Sequence, residues 1–224
     1  MWKQAAGFLL LLVVLAPVGQ AEVAPNAADV ADWQLHDRND DPGSGYVVYR
    51  RKPPGSDYYA YRLEAVIDAP PAAVAAAGRA DIADPTTAAD NMERTILSDD
   101  GEVIVVYTYI DLPLVSDRDV TTRAQRSFDP ETGTYRVEWQ ATDSGPPPRK
   151  GVVRLQESSG HWVFSPLEGG RTRAVYESHS EAAGFIPAWL VNSFMTDMAV
   201  EGIVNLRARL QRPPLPAVAA EPGT

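Results

Sequence analysis

Residues 184–211 form the longest stretch of helical periodicity in this chain of 224 residues. Their apolar side chains recur at the three- and four-residue spacing of an amphipathic helix. Pro187 suits the first turn, where its missing N–H leaves no bond unmade, and Pro213 and Pro214 stop the helix. Such a helix is roughly 37 Å long, so the rest of the chain must supply a broad surface to cover its apolar side. The stripe consists of Leu190, Val191, Phe194, Met195, Met198, Ala199, Gly202, Ile203, Leu206 and Leu210.

The sequence before this helix consists mainly of strand patterns. A Pro/Gly turn separates residues 46–51 from residues 58–68, which predicts a hairpin. Two short helices are predicted next, at 70–79 and 85–91, and earlier in the chain residues 28–35 are predicted as a short helix and 37–45 as a turn. Short linkers rich in Asp and Gly then join a further series of strands, as in an antiparallel meander. These strands are predicted at residues 92–98, 102–111, 118–128, 135–142, 150–157, 161–167 and 172–181.

This element order predicts an α+β domain. A curved antiparallel sheet of about nine strands carries two short helices and is covered by the long C-terminal helix. Sheets curl because their strands twist, and a sheet of this kind buries one face against a covering layer. A curled sheet closed by a single helix leaves space between the layers, which is the geometry of a binding cavity.

Residues 1–21 have the pattern of a secretory signal peptide, with a positive Lys3, a short apolar core and small residues before a cleavage site near Ala21. The apolar run is too short for a membrane span. We therefore expect one domain over residues 22–212 and a disordered Pro/Ala-rich tail at 213–224. The mature protein is expected to be periplasmic or secreted.

Composition limits the classes of partner. The chain has no cysteine and a formal net charge of −10. Because neutralising phosphates supplies most of the affinity for nucleic acids, we expect no nucleic-acid partner. The charge also disfavours lying flat on an anionic membrane, although it is compatible with transient membrane contact. We expect a monomer that needs no metal and no cofactor, since no zinc-protease motif, nucleophile elbow or phosphate-binding loop occurs.

Three segments resemble the START domains, which belong to the helix-grip superfamily together with polyketide cyclases and plant ligand-binding proteins. Residues 112–123, LPLVSDRDVTTR, are similar to the START loop and strand around an Arg-Asp pair, here Arg118 and Asp119. Residues 150–167 resemble its KG-x-x-R strand and the strand that follows, and residues 184–192 resemble the entry to its C-terminal helix. The motifs occur in the START order and cover roughly residues 92–211.

The resemblance implies a helix-grip fold with a hydrophobic tunnel for one lipid, in which the C-terminal helix acts as a lid. The loop before Arg118 is then the other half of the entrance, formed by Leu112, Pro113, Leu114 and Val115. Arg118 and Asp119 are expected to fix this loop through backbone hydrogen bonds and a local ion pair, and Arg154 is expected to be structural.

Arg123 matches an arginine that points into the cavity of sterol-binding START domains, where an acid on the preceding strand pairs with it. Here the preceding strand, residues 103–110, has no acid and carries Tyr107 and Tyr109 near that place. An unpaired buried guanidinium is expensive. Arg123 therefore has a partner elsewhere, meets a ligand headgroup or points to solvent, and the sequence leaves these three alternatives open.

The remaining candidate ligand-binding residues are apolar or small. Trp139 lies on a strand with other aromatic residues, which suit either a core or a lipid cavity. Phe194, Met195 and Met198 face the sheet from the lid. Gly202, in the same stripe, either packs closely against an aromatic ring or leaves room for a ligand. A Glu177–His179 acid–base pair is conceivable, but this side of its strand is polar and is expected to face water.

The hypothesis that these features favour is an exported START-like domain that binds one hydrophobic lipid-type ligand for transfer or sensing, without catalysis. One alternative is a helix-grip enzyme of the cyclase/aromatase type acting on a polycyclic substrate. A cavity in which two or more ionisable groups converge would favour the enzyme. The other alternative is a ligandless protein-interaction module, which a filled interior would favour.

Overall fold

One sheet of ten strands dominates the computed structural model, which describes residues 32–84, 87–88, 90–184 and 186–212. The helices are α1 (Pro71–Ala83) and α2 (Ala188–Leu210). The strands are β1 (Gln34–Asn39), β2 (Tyr46–Arg51), β3 (Ala60–Ile67), β4 (Met92–Asp99), β5 (Val103–Ile110), β6 (Arg118–Asp129), β7 (Thr134–Ala141), β8 (Val153–Arg154), β9 (Ser158–Leu167) and β10 (Arg171–Ser180). The predicted α+β class, with a large antiparallel sheet and a long C-terminal helix, is confirmed.

The strands follow the order β1-β2-β3-β10-β9-β7-β6-β5-β4, so β3 pairs with the last strand of the chain. All neighbours on this path are antiparallel. β8 lies off the path and pairs with β6 in parallel, opposite Arg118 and Asp119. The strand predicted at 150–157 is therefore wrong in length. The short linker predicted between this strand and the next, residues 158–160, is also wrong, because β9 already begins at Ser158.

The prediction for the N-terminal part of the domain is partly wrong. β1 occupies residues that were predicted as the end of a helix and the start of a turn, and it pairs with β2 at the sheet edge. Nearly all of its side chains are exposed, so no apolar alternation marks it as a strand. Residues 1–31 and 213–224 lie outside the described residues, as do 85, 86 and 89 in the second predicted short helix. None of the helices in the described ranges is long and apolar enough to cross a membrane.

The C-terminal half of α2 is fixed firmly to the sheet and to α1. Leu206 packs so closely against α1 that a Cβ atom at Gly78 would lie 3.3 Å from it. Arg207 donates hydrogen bonds to the carbonyls of Ser44, Gly45 and Val66 at 2.8, 2.8 and 2.9 Å. The buried residues at this end of the core include Tyr61, Leu63, Val74, Ala199, Ile203 and Leu206. The N-terminal half of α2 extends beyond this core and covers a cavity.

Candidate ligand-binding cavity

A cavity of about 570 Å³ lies between the sheet and the N-terminal half of α2. Because side chains alternate along a strand, one set from each of β4–β7, β9 and β10 faces this space. The apolar wall residues on the sheet are Met92, Ile104, Val106, Ile110, Val120, Ala124, Val137, Trp139 and Trp162. The space therefore has the size and the apolar lining of a small-molecule site.

The lid contributes the residues predicted for it, with one exception. Phe194, Met195 and Met198 all line the cavity from α2. Trp139, the predicted sheet residue, faces them across it. Gly202 does not line the cavity, because a Cβ atom there would stand 3.3 Å from the ring of Trp162. Close packing against an aromatic ring thus accounts for this glycine. The residue at this place that lines the cavity is Trp162, which was not selected as a site residue from the sequence.

The predicted placement of Tyr107, Tyr109 and Arg123 in the cavity is wrong, because none of the three lies on the cavity side of the sheet. On β6 the cavity side carries Val120 and Ala124. Because successive side chains of a strand point to opposite faces, Arg123, directly before Ala124, points to the outer face. Arg123 is exposed and borders an open groove of about 500 Å³ on the outer face of the sheet. Pointing to solvent is therefore the alternative that the structure shows for Arg123.

The two tyrosines instead belong to a hydrogen-bonded cluster on the outer face. The Tyr107 hydroxyl donates to Asp119 Oδ2 at 2.9 Å, and Arg154 donates to both carboxylate oxygens of Asp119 at 2.9 and 2.7 Å. Hydrogen bonding by Arg154 holds the pKa of Asp119 below its usual value. Tyr109 donates to Asp117 at 2.5 Å, and this bond raises the pKa of Tyr109 to about 12. The ion pair of Asp119 is thus with Arg154 and not with its neighbour Arg118.

Arg118 points to the cavity side and ties the two halves of the entrance together. Its side chain is only 3% exposed. It donates to the Ser116 carbonyl in the entrance loop, and to the carbonyls of Ala182 and Ala183 before α2 at 3.4 and 3.1 Å. The prediction that Arg118 fixes the loop through backbone hydrogen bonds agrees with this geometry.

The entrance loop is divided in its contacts. Leu112 and Pro113 line the cavity, whereas Leu114 and Val115 border a separate shallow depression beside Gly184. Leu114 is fully exposed and has a φ of 70°, a conformation that non-glycine residues seldom adopt. Trp189, in the first turn of α2, is 71% exposed. The loop and the start of the lid thus present bulky apolar side chains to the outside.

Polar residues are a minority of the cavity wall, and some of them are hydrogen-bonded within the protein. Arg94 lies 3.8 Å from Asp81 and donates to Thr87 at 3.1 Å. Ser180 donates to Ser158 at 2.9 Å. Tyr176 and Ser178 on β10 also line the cavity, and neither residue was selected as a site residue from the sequence. The alternation of Tyr176 and Ser178 with Arg173, Glu177 and His179 on the same strand would have placed them on the inner face. Further polar residues of the wall are Asn91, Thr108, Arg118, Thr122, Ser193 and Asp197.

Glu177 and His179 do not pair with each other, in line with the expectation that this side of β10 is not a catalytic site. Glu177 accepts a hydrogen bond from Arg62, and His179 is bonded to Glu181 at 3.0 Å. Both residues lie on the outer face of β10, away from the cavity. Among the described residues there is no group of three or more His, Cys, Asp or Glu side chains placed to hold a metal ion.

Fold and site together define a helix-grip protein, in which a curved sheet and a C-terminal helix enclose an apolar cavity. The family model described as START domain matches residues 18–215, and the chain belongs to this family.

Solved structures share the fold. A fragment of the STAR-related lipid transfer protein of Xanthomonas axonopodis superposes with a TM-score of 0.68 at 24% identity, covering 81% of this chain and 99% of that one. Human StAR-related lipid transfer protein 5 gives 0.64 at 20% identity, covering 82% and 88%. At this identity the likeness establishes the shared fold.

One curated relative is an uncharacterised protein of Pseudomonas aeruginosa. It is 30% identical over 121 residues, which are 54% of this chain and 59% of that protein. The chain therefore spans less than two thirds of this relative's length.

Proposed function

We propose that this protein encloses one hydrophobic, lipid-type molecule beneath α2 and carries or senses it without chemical change. The observation that carries the proposal is the cavity of about 570 Å³, whose wall is apolar on both the sheet and the lid. Removing apolar surface from water contributes about 25 cal/mol per Å², so a molecule that fills this space gains affinity mainly from its apolar body. Two structures of the same fold carry the name lipid transfer protein, which supports a ligand of this kind.

The lid is suited to admit such a molecule. Met195 and Met198 are flexible and polarisable side chains that adapt to irregular ligand shapes. The C-terminal half of α2 is held by Arg207 and by core packing. Nearer the N-terminal end, Asn192 accepts hydrogen bonds from the backbone N–H of Tyr59 and the hydroxyl of Tyr61, and before the first turn of α2 the entrance is closed by hydrogen bonds from Arg118 to backbone carbonyls. We therefore place ligand entry at the N-terminal end of α2, between the lid and the loop at residues 112–117.

Exchange at a membrane surface follows from the side chains around this entrance. Leu114 and Trp189 are both exposed, and tryptophan is enriched at the boundary between lipid and water. The chain is acidic, so anionic headgroups would repel most of its surface. Membrane contact is thus driven by these apolar side chains, and it is brief because only a few of them take part.

The cyclase-type alternative requires ionisable groups that converge on a substrate. The charged residues that line the cavity within the described part of the chain are Arg94, Arg118 and Asp197. Arg94 is paired with Asp81, Arg118 is bonded to backbone carbonyls, and Asp197 is an exposed residue of the lid. This arrangement favours a carrier over an enzyme.

Residues 1–21 have the pattern of a signal peptide. We propose that the protein is exported to the periplasm or the outside of the cell and that the signal peptide is cleaved near Ala21. N-terminal sequencing of the protein recovered from the cell envelope checks the cleavage site, and a chain that still begins at Met1 would contradict it.

A vesicle assay tests the carrier function. The mature protein is mixed with donor vesicles containing a fluorescent sterol or a fluorescent fatty alcohol together with a quencher, and with acceptor vesicles without them. We expect probe to reach the acceptor vesicles in proportion to protein concentration, and the bound probe to raise the melting temperature of the protein. If no probe moves and no hydrophobic compound shifts the melting temperature, the protein is not a carrier.

A further inference from the structure

The outer face of the sheet carries a polar groove that is separate from the ligand cavity. This groove of about 500 Å³ crosses β6, β7, β9, β10, β3 and β2, which are neighbours in the sheet. Its two ends carry exposed arginines, Arg123 on β6 and Arg51 on β2. Six adjacent strands at a spacing of about 4.8 Å place the two backbones roughly 24 Å apart. The groove therefore has the length of an extended ligand and not of a small ion.

The pairing register arranges the side chains between these ends in one row. Directly opposite residues of neighbouring strands share a face of the sheet, and cross-strand pairs connect β6 through β7 and β9 to β10, and β2 to β3. The row has an arginine at each end and no acid between them. Its members, in order across the sheet, are Arg123, Gln140, Ser159, His179, Ala60 and Arg51.

The arginines at the two ends have no acidic partner. The side chain of Arg123 forms no hydrogen bond or ion pair with the residues that the structure describes. Within the same residues, Arg51 makes only a cation–π contact, 4.7 Å from the ring centroid of Trp33. A guanidinium is a planar fork of donors that matches the two oxygens of a carboxylate. Two such groups on one groove make it suited to an elongated acidic ligand.

The acids in the groove lining do not neutralise these two arginines. Glu138 pairs with Arg136 at 3.1 Å. Glu177 accepts a hydrogen bond from Arg62, a buried residue of β3. Both carboxylates are thus committed to neighbouring arginines. The groove keeps an uncompensated positive charge, although the chain as a whole has a formal net charge of −10.

Neutral polar side chains in the groove suit a peptide backbone. Four of them are exposed and form no side-chain hydrogen bond within the described ranges, namely Gln125, Ser127, Gln140 and Ser159. Glutamine both donates and accepts, as does serine, so these side chains can bond to backbone N–H and C=O groups. A nucleic-acid strand would need free aromatic faces for its bases. The indole at the end of the groove, Trp33, has one face covered by Arg51.

We propose that this groove is a docking site for an extended, acidic peptide segment of a partner protein. Carboxylates of the segment pair with Arg123 and Arg51, and its backbone bonds to the glutamines and serines between them. The groove and the cavity lie on opposite faces of the sheet, so docking leaves α2 and the entrance loop free. The site therefore does not depend on the proposed lipid-binding function.

Fluorescence anisotropy of the mature protein with two labelled octapeptides tests this site. One peptide alternates glutamate with alanine, and the other alternates glutamine with alanine. Eight extended residues span roughly 26 Å, which matches the length of the groove. We expect the acidic peptide to bind more tightly than the neutral one, although the net charge of the protein repels it.

Variants then locate the effect. Arg123→Gln and Arg51→Gln should each weaken binding of the acidic peptide about two- to fivefold, as an exposed ion pair allows, and the double variant about tenfold. The affinity for the neutral peptide should not change. Arg212→Gln removes the same charge from an exposed arginine outside the groove, and this matched control should change neither affinity. Arg123→Gln should melt at the wild-type temperature, because its side chain has no partner to lose.

Four results would overturn the proposal. The first is equal affinity of wild type for the two peptides, or unchanged affinity for the acidic peptide in the double variant. Tighter binding of an oligogalacturonate of similar length would assign the groove to an acidic sugar chain. Dimerisation in sedimentation that is lost in Arg123→Gln would assign it to a second copy of this chain. Tighter binding of the acidic peptide after Glu22→Gln and Asp29→Asn would assign it to residues 22–31 of the chain itself.

Discussion

Replacing Arg118 by methionine should open the entrance. Methionine keeps an apolar stem in this 3% exposed position but removes the donors to the Ser116, Ala182 and Ala183 carbonyls. A hydrogen bond from a charged donor contributes about 1.5–3 kcal/mol. The bond to Ala182 is long, at 3.4 Å, and freed loop carbonyls regain water, so three full bonds would overstate the loss. We expect the free energy of unfolding to fall by about 2–4 kcal/mol.

Two measurements check this prediction. Urea denaturation gives the loss in stability, and amide hydrogen exchange should show faster opening of residues 112–117 and 181–184 with little change in β9 and β10. Release of a bound fluorescent fatty alcohol should also be faster, because the lid and the loop are no longer joined. Arg123→Met is the matched control on the same strand, where the side chain is exposed, and it should cost less than about 0.5 kcal/mol. Equal losses in the two variants, with unchanged exchange at the entrance, would refute the role of Arg118.

Three further predictions concern other parts of the molecule. Asp119→Asn should destabilise the protein at neutral pH, because it removes the ion pair with Arg154. Since this pairing lowers the pKa of Asp119, the difference in unfolding free energy between variant and wild type should be constant above about pH 4 and shrink as the pH falls below it. Urea denaturation measures this difference, and a constant difference down to about pH 2 would count against the ion pair. Gly202→Leu should displace Trp162, lowering the free energy of unfolding by about 1–2 kcal/mol and weakening probe binding, whereas an unchanged melting temperature would contradict the close contact. Leu114→Ser should leave probe affinity in solution unchanged but slow transfer between vesicles several-fold, and equal transfer rates would exclude this loop from membrane contact.

The hairpins and the lid could be predicted from sequence because their signals are local. Gly101 and Gly133 sit in short linkers and adopt positive φ values of 100° and 67°, as tight turns require. The helical periodicity of residues 184–211 led directly to α2, whose bounds are Ala188–Leu210. β1 escaped prediction because an exposed edge strand needs no apolar alternation.

The side of the sheet that faces the cavity was harder to predict. β5 has apolar residues on both faces, with Ile104 and Val106 inside and Tyr107 outside, so its periodicity does not choose between them. β6 holds the missing information, since Val120 and Ala124 alternate with Arg123 and mark the inner face. Each residue of β5 shares a face with its cross-strand partner on β6, and Tyr107 is opposite Thr121, which is on the outer face with Arg123.

Native mass spectrometry of the mature protein, purified without detergent, shows whether the cavity beneath α2 holds a hydrophobic molecule. We expect one small apolar molecule bound to each chain, and its loss in Ala124→Phe, which places a large ring in the cavity from a wall residue that is 7% exposed. The variant should be as stable as ligand-free wild type, because the added ring lies in the cavity, where the ligand otherwise packs. A wild-type protein that carries no apolar molecule and takes up none from added lipids would contradict the account, as would a variant that keeps the same molecule.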